Sequence, residues 1–387
     1  MSKPSIPGMG HPSTPGNPNK RPRIGSAADL VVSGDDRPIR TIERFMADWK
    51  EYENEQKMDS DMIKAVDEEW KSLKKLQEYR DQHKDETVKA VALSSLEHAD
   101  LLRMNVNACK DAVPINLWES LTRVEFDSKP RAITHKQIDE CWDRRKDATE
   151  HQLTVITGGV PNQPEPFSRM MIDPVLLLLL EVINEEGTGI LFVEFAISKG
   201  TDFPTCIKWT DSNGKKFTTF LTGRVDYLLL VYHGLQIAGA KDAVQTTSSE
   251  DRSCLKAFVK SKSIRGVWNF THANGLQGVV FEAKVEETTG LIDHLPQVVG
   301  ECLVTRMAVP WCLTTGKTWI FGVAIKNSSD PRIVGYTVHH AEPISWTIEA
   351  EREQVTKRAF MMLAFWATMR PQDVENFAAR LPKPTTV

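Results

Sequence analysis

The chain has 387 residues, 41% hydrophobic and 26% charged, the proportions of an ordinary globular protein. Its 48 Lys and Arg against 52 Asp and Glu leave a formal charge of −4, which excludes a polybasic coat for nucleic acid, since that mode needs a large excess of phosphate-neutralising cations. Any contact with DNA or RNA must therefore use a local basic patch.

Six cysteines, at 109, 141, 206, 254, 302 and 312, are scattered with no C-x-x-C and no Cys/His cluster, against a structural zinc site or a secreted disulfide framework. The start of the chain lacks the apolar core of a signal peptide. The longest strongly apolar run, Val175 to Leu180, is six residues against the ~20 that span a bilayer. No membrane partner and an intracellular location are expected.

Residues 1–38 hold seven prolines and five glycines with few large apolar residues, and so predict a disordered tail. Within it Lys20-Arg21-Pro22-Arg23 has the composition of a nuclear-import signal, or simply of a solvated basic run. A helical module is expected over 39–157. From Ile39 to Val113 there is no Gly or Pro, and Ile42, Phe45, Met46, Trp49 and Tyr52, then Ile63, Val66, Trp70 and Leu73, recur at helical spacing. Breaks near Met58–Asp61 and His83–Glu86 suggest a hairpin or small bundle for packing or homo-oligomerisation. A further helix from about His135 to His151 is entered by the capping box Thr134-x-x-Gln137.

Gly158-Gly159-Val160-Pro161 marks a boundary, and a second domain is expected over 165–343. Asp173-Pro174 predicts a helix start, with the helix running to about Glu186. β-type runs follow at 190–197, 205–210, 215–221 and 224–232, with the hairpin turn Asp211-Ser212-Asn213-Gly214 between the second and third. A strand at 278–285, a helix from about Leu295 to Arg306, strands at 318–325 and 333–340, and a closing helix over 344–370 stopped by Pro371 complete the order. This mixture predicts an α/β fold, a mixed sheet flanked by helices.

The chemistry concentrates in Val279-Val280-Phe281-Glu282-Ala283-Lys284-Val285. Residues two apart in a strand share a face, so Glu282 and Lys284 emerge side by side, and charges inside an apolar strand are costly unless paired or used. Asp226 poses the same question at the start of the apolar strand Val225–Tyr232. Were the two strands neighbours, Asp226 and Glu282 would converge on a hard cation such as Mg²⁺, with Lys284 beside a phosphoryl group or an attacking water.

In these residues the chain resembles the PD-(D/E)xK nuclease superfamily, which includes restriction endonucleases and Holliday-junction resolvases. The resemblance lies in Val225-Asp226 in place of Pro-Asp, in Glu282-Ala283-Lys284, and in Gln297 on the following helix, and it covers roughly residues 170–340. It implies a restriction-endonuclease-like core of order α-β-β-β-α-β and metal-dependent hydrolysis of DNA or RNA. It also implies Mg²⁺ or Mn²⁺ held by Asp226 and Glu282, Lys284 as catalytic lysine, Gln297 assisting, and Glu181 as an additional acid on the opening helix. Of five [DE]-x-K matches in the chain, only this one combines a strand, an upstream strand-borne Asp and a downstream helical Gln. The 56-residue separation of Asp226 and Glu282 implies an insertion between Gly234 and Gln277. A short helix there would carry Arg252, Lys256 and Lys260 on one face, with Lys262 and Arg265 just beyond: a solvated face, or a nucleic-acid-binding strip. Trp268, Phe270 and His272 alternate after it as half-buried strand or as a base-stacking edge. Gly316-Lys317-Thr318 has Trp311 where a P-loop needs its first glycine, so it reads as a turn, and His339-His340 reads as structural. A catalytically silent interaction or nucleic-acid-binding module is the alternative function.

Overall fold

The structure is a computed structural model that describes residues 31–52, 60–109, 111–129, 133–159, 164–186, 188–197, 206–211, 213–232, 267, 277–285, 290–303, 308–327 and 335–382. The import-like run Lys20–Arg23, the basic strip Arg252–Arg265 and the Trp268, Phe270, His272 alternation lie outside these residues. No helix among them is long and apolar enough to cross a membrane.

The N-terminal part is not helical throughout. Helices α1 (Arg37–Tyr52) and α2 (Ser60–Gln82) are followed by strand β1 (Thr87–Ala92), α3 (His98–Arg103) and strand β2 (Val106–Ala108), then α4 (Ile115–Asp127) and α5 (His135–Gly159). Both strands pair far along the chain, so no separate helical module exists here. The last residues of the expected tail are also held: Val31 and Val32 are buried in a small core with Ile39, Leu73, Leu76, Tyr79 and Phe220. The capping box of α5 forms as expected, with the Thr134 N–H donating to Gln137 Oε1 at 2.8 Å and the Gln137 N–H donating to Thr134 Oγ1 at 3.3 Å.

Helix α6 (Pro164–Glu186) begins ten residues before Pro174, which sits inside it. An internal proline costs about 3 kcal/mol through its missing N–H. Met171, Ile172, Val175, Leu176, Leu179, Val182 and Ile183, each at most 1% exposed, supply the burial that offsets it. Next come β3 (Thr188–Ala196), β4 (Cys206–Thr210), β5 (Lys216–Thr222), β6 (Arg224–Tyr232) and β7 (Gln277–Ala283). The β4–β5 hairpin turns through Asp211, whose Oδ1 accepts from the N–H groups of Asn213 and Lys215, and Gly214 takes φ 78°. Helix α7 (Leu295–Cys302) precedes β8 (Val309–Thr314), β9 (Thr318–Lys326), β10 (Tyr336–His340) and β11 (Ile344–Ser345). Strand β8 is absent from the sequence reading. The closing helix α8 (Glu349–Thr368) is followed by α9 (Pro371–Ala379), so Pro371 starts a new helix as well as ending the old one.

The strands form a three-stranded sheet, β1-β5-β4, and an eight-stranded mixed sheet, β2-β10-β9-β8-β7-β6-β3 with β11 on β9. Parallel pairings join β7 to β8 and β2 to β10. One face of the large sheet carries Tyr227, Leu229, Phe281 and Phe321 against α6, α8 and α9, through Leu179, Phe360, Trp366 and Phe377. The other carries Leu228, Leu230, Val280, Trp311 and Leu313 against α7 and the Leu93–Leu101 region. A mixed sheet flanked by helices is thus what the chain forms.

Candidate active site

Every residue of β7 is buried, and Glu282 is 1% exposed. Its carboxylate is compensated locally: Lys284 Nζ donates to Glu282 Oε1 at 2.5 Å and to Gln297 Oε1 at 2.8 Å, and Gln297 Nε2 donates back to the same Glu282 oxygen at 2.5 Å. Lys284 stands just past the end of β7, anchored by its own N–H to the Thr314 carbonyl of β8 at 2.8 Å. Strand geometry thus sets the Glu–Lys pair side by side, and α7 lowers Gln297 onto both.

Asp226 enters from the neighbouring strand. The β6–β7 ladder runs from Val231↔Gln277 to Tyr227↔Phe281, and one further step of that register sets Asp226 opposite Glu282. Instead of a backbone rung, Asp226 Oδ2 accepts the Ala283 N–H at 2.8 Å. The side chain closes the ladder where the two strands part. Its other oxygen, Oδ1, accepts from Arg169 Nη2 of α6 at 2.6 Å.

The ladder on the other edge of β6 is interrupted at the same level. Rungs Val193↔Tyr227 and Phe195↔Val225 flank a missing pair, Glu194 and Asp226, and Glu194 takes φ 51°. A non-glycine residue there costs of order 1–3 kcal/mol and tends to mark functional sites. Alternation slips at this point on both strands: Ile190 and Phe192, then Phe195 and Ile197, share one core, as do Leu230 and Leu228, then Val225. Glu194 Oε1 accepts from Arg169 Nη1 at 2.8 Å and Oε2 from Arg224 Nη1 at 3.0 Å.

A third acid lies under Glu282. Glu301, one helical turn after Gln297 on α7, is fully buried; both its oxygens and Glu282 Oε2 have no hydrogen-bond partner. Burial, then the adjacent Glu282, push the Glu301 carboxyl well above the ordinary range, so it holds a proton that serves Glu282. Burial also raises Glu282, Asp226 adding to the effect and Lys284 opposing it. Arg169 holds Glu194 below its usual value.

The structure therefore brings together Asp226, Glu282, Lys284 and Gln297. It does not bring Glu181 to them. Twelve residues beyond Arg169, about 18 Å along the helix axis, Glu181 pairs with Arg145 at 2.9 Å and Arg144 at 3.5 Å, tying α6 to α5. Its place on the apolar helix serves packing of two helices. Sequence reasoning missed Arg169, Glu194 and Glu301. Glu194 carried the same signal as Asp226, an acid within the apolar run Ile190–Ile197. Glu301 shares a helix face with Gln297, while Arg169 gave no local signal.

Asp226 and Glu282 supply oxygen ligands suited to a hard cation, and the unpartnered Glu282 Oε2 fits such a ligand. Among the described residues, however, no three His, Cys, Asp or Glu side chains are grouped to hold a metal ion. The cations beside the two carboxylates are Arg169 and Lys284. Elsewhere, Cys109 Sγ lies 3.4 Å from His339 Nδ1, but burial pushes the thiol up to about 11 and the imidazole down, the reverse of an activated pair. No family model and no curated protein matches the chain.

Proposed function

We propose that this protein is a metal-dependent nuclease that hydrolyses phosphodiester bonds of DNA or RNA. The observation that carries the reading is the convergence of Asp226, Glu282, Lys284 and Gln297 where β6 and β7 part. The order α6-β3-β6-β7-α7-β8, with β4–β5 inserted, also agrees with the restriction-endonuclease-like core. Asp226 and Glu282 would hold Mg²⁺ or Mn²⁺. A bound divalent ion there supplies Lewis-acid polarisation of the phosphoryl group and an acidified water. Lys284, fixed by Glu282 and Gln297, presents its ammonium to the charge that develops on the phosphorane oxygens. Gln297 orients that ammonium by accepting from it while donating to the same carboxylate. Glu301 backs Glu282 from beneath with its proton.

A second reading, a catalytically silent nuclease fold that binds nucleic acid or a partner, is favoured by one observation: Arg169 already neutralises Asp226. Incubating the full chain with fluorescent DNA and RNA, single- and double-stranded, in Mg²⁺ or Mn²⁺ separates the two. Cation-dependent cleavage abolished by EDTA and by Glu282→Ala supports the nuclease. Cleavage of none of these substrates, with Glu282→Ala indistinguishable from wild type, leaves the silent fold.

A further inference from the structure

Arg169 spans two acids with separate nitrogens, Nη2 on Asp226 at 2.6 Å and Nη1 on Glu194 at 2.8 Å. Its side chain is largely covered, at 23% exposure, whereas Glu194 and Arg224 at 48% and 66% open toward solvent. The guanidinium therefore occupies the carboxylate that the proposed ion needs, and it can release that carboxylate while keeping its second hold. Glu194 is turned toward it by a left-handed backbone that breaks the β3–β6 ladder directly opposite Asp226.

Charge balance gives the consequence. Three carboxylates, Glu194, Asp226 and Glu282, stand against three cations, Arg169, Arg224 and Lys284. Once an ion takes Asp226, Arg169 and Arg224 share Glu194 alone, which leaves a surplus guanidinium beside the ion. A planar fork of N–H donors is matched to a phosphodiester's oxygens.

Resting on the nuclease reading, we propose that Arg169 is a further binding residue of this site. It holds Asp226 until a divalent cation displaces it and then, tethered by Glu194, contacts the substrate's phosphate. Cation and substrate thereby favour one another, since each removes what obstructs the other.

The test uses the full chain and two readouts. Mn²⁺ binding is followed by the electron paramagnetic resonance signal of free Mn²⁺, and binding of a DNA duplex and a single-stranded RNA is followed by anisotropy in Ca²⁺. Loss of the competing guanidinium in Arg169→Gln should tighten Mn²⁺ binding about tenfold and weaken oligonucleotide binding about tenfold, each a change near 1.4 kcal/mol. Mn²⁺ affinity equal to or below wild type overturns the competition, and undiminished oligonucleotide affinity overturns the phosphate contact. Arg169→Lys, which keeps the charge and loses the fork, covers the case in which the glutamine variant does not fold: it should keep weak Mn²⁺ binding and lose oligonucleotide affinity, and wild-type affinity for the oligonucleotide sinks the proposal. Wild-type protein that binds no Mn²⁺ at millimolar concentration refutes the cation site itself, a result distinct from these.

Discussion

Glu301 is the residue whose chemistry departs furthest from its ordinary behaviour. Burial and the neighbouring Glu282 raise its carboxyl well above the model value of 4.5, so the native state keeps a proton that the unfolded chain releases. Where the native state binds more protons, stability falls as pH rises, starting at the unfolded value and continuing up to the raised native one. Glu301→Gln keeps a donor for Glu282 and removes this titration. Melting temperatures of both proteins measured from about pH 5 to about pH 8 should show the wild type losing ground to the variant as pH rises. The buried His339 and His340, lowered by burial, push stability the opposite way but equally in both proteins. Parallel curves would refute the assignment of a native-state proton to Glu301. Asp226, Glu282 and Lys284 were legible in the sequence because a charge inside an apolar strand must be paired or used. Arg169 was not legible, because its partners lie 25 and 57 residues away and only folding brings them together.

At the scale of elements, the site depends on strands whose order the pattern reveals only in part. Strand β8 hides because Val309–Thr314 is short, begins beside Pro310 and is buried throughout, so no alternation marks it. It is nevertheless the strand that anchors Lys284 and closes the parallel pairing with β7. Its packing turns on Gly322 of β9, paired with Trp311 across the ladder. A Cβ built at Gly322 would stand 1.9 Å from the Trp311 ring, which is fully buried and has no room to shift. Gly322→Ala should therefore destabilise by roughly 1–3 kcal/mol through overpacking. Urea unfolding of the variant checks this, and an unchanged midpoint would show that the indole relocates freely. The cap of α5 was legible because it is local: Thr134 and Gln137 are three residues apart. Thr134→Ala should cost about 1 kcal/mol by the same measurement, and a loss within error would show that the cap contributes nothing there.

Across the whole molecule, the division into a helical module and a catalytic domain gives way to a shared framework. Strand β1 runs parallel to β5 and β2 parallel to β10, while Leu93, Leu96, Leu101, Met104 and Val106 complete the core beneath α7. These pairings join segments more than a hundred residues apart, and sequence periodicity carries no record of them. A chain beginning after residue 112 would expose that core and an edge of the large sheet. Such a fragment should fail to give a cooperative thermal transition by circular dichroism. A transition at the full-length temperature would restore an independent N-terminal module.

The claim on which the functional account turns is that Lys284 acts on the reacting phosphate while Asp226 and Glu282 hold the ion. Lys284→Met tests it when cleavage and Mn²⁺ binding are measured on the same preparation. Loss of a preorganised charge at the transition state predicts a fall in turnover on the order of 10²–10³-fold, with Mn²⁺ still bound. Cleavage by the methionine variant at the wild-type rate would contradict the account.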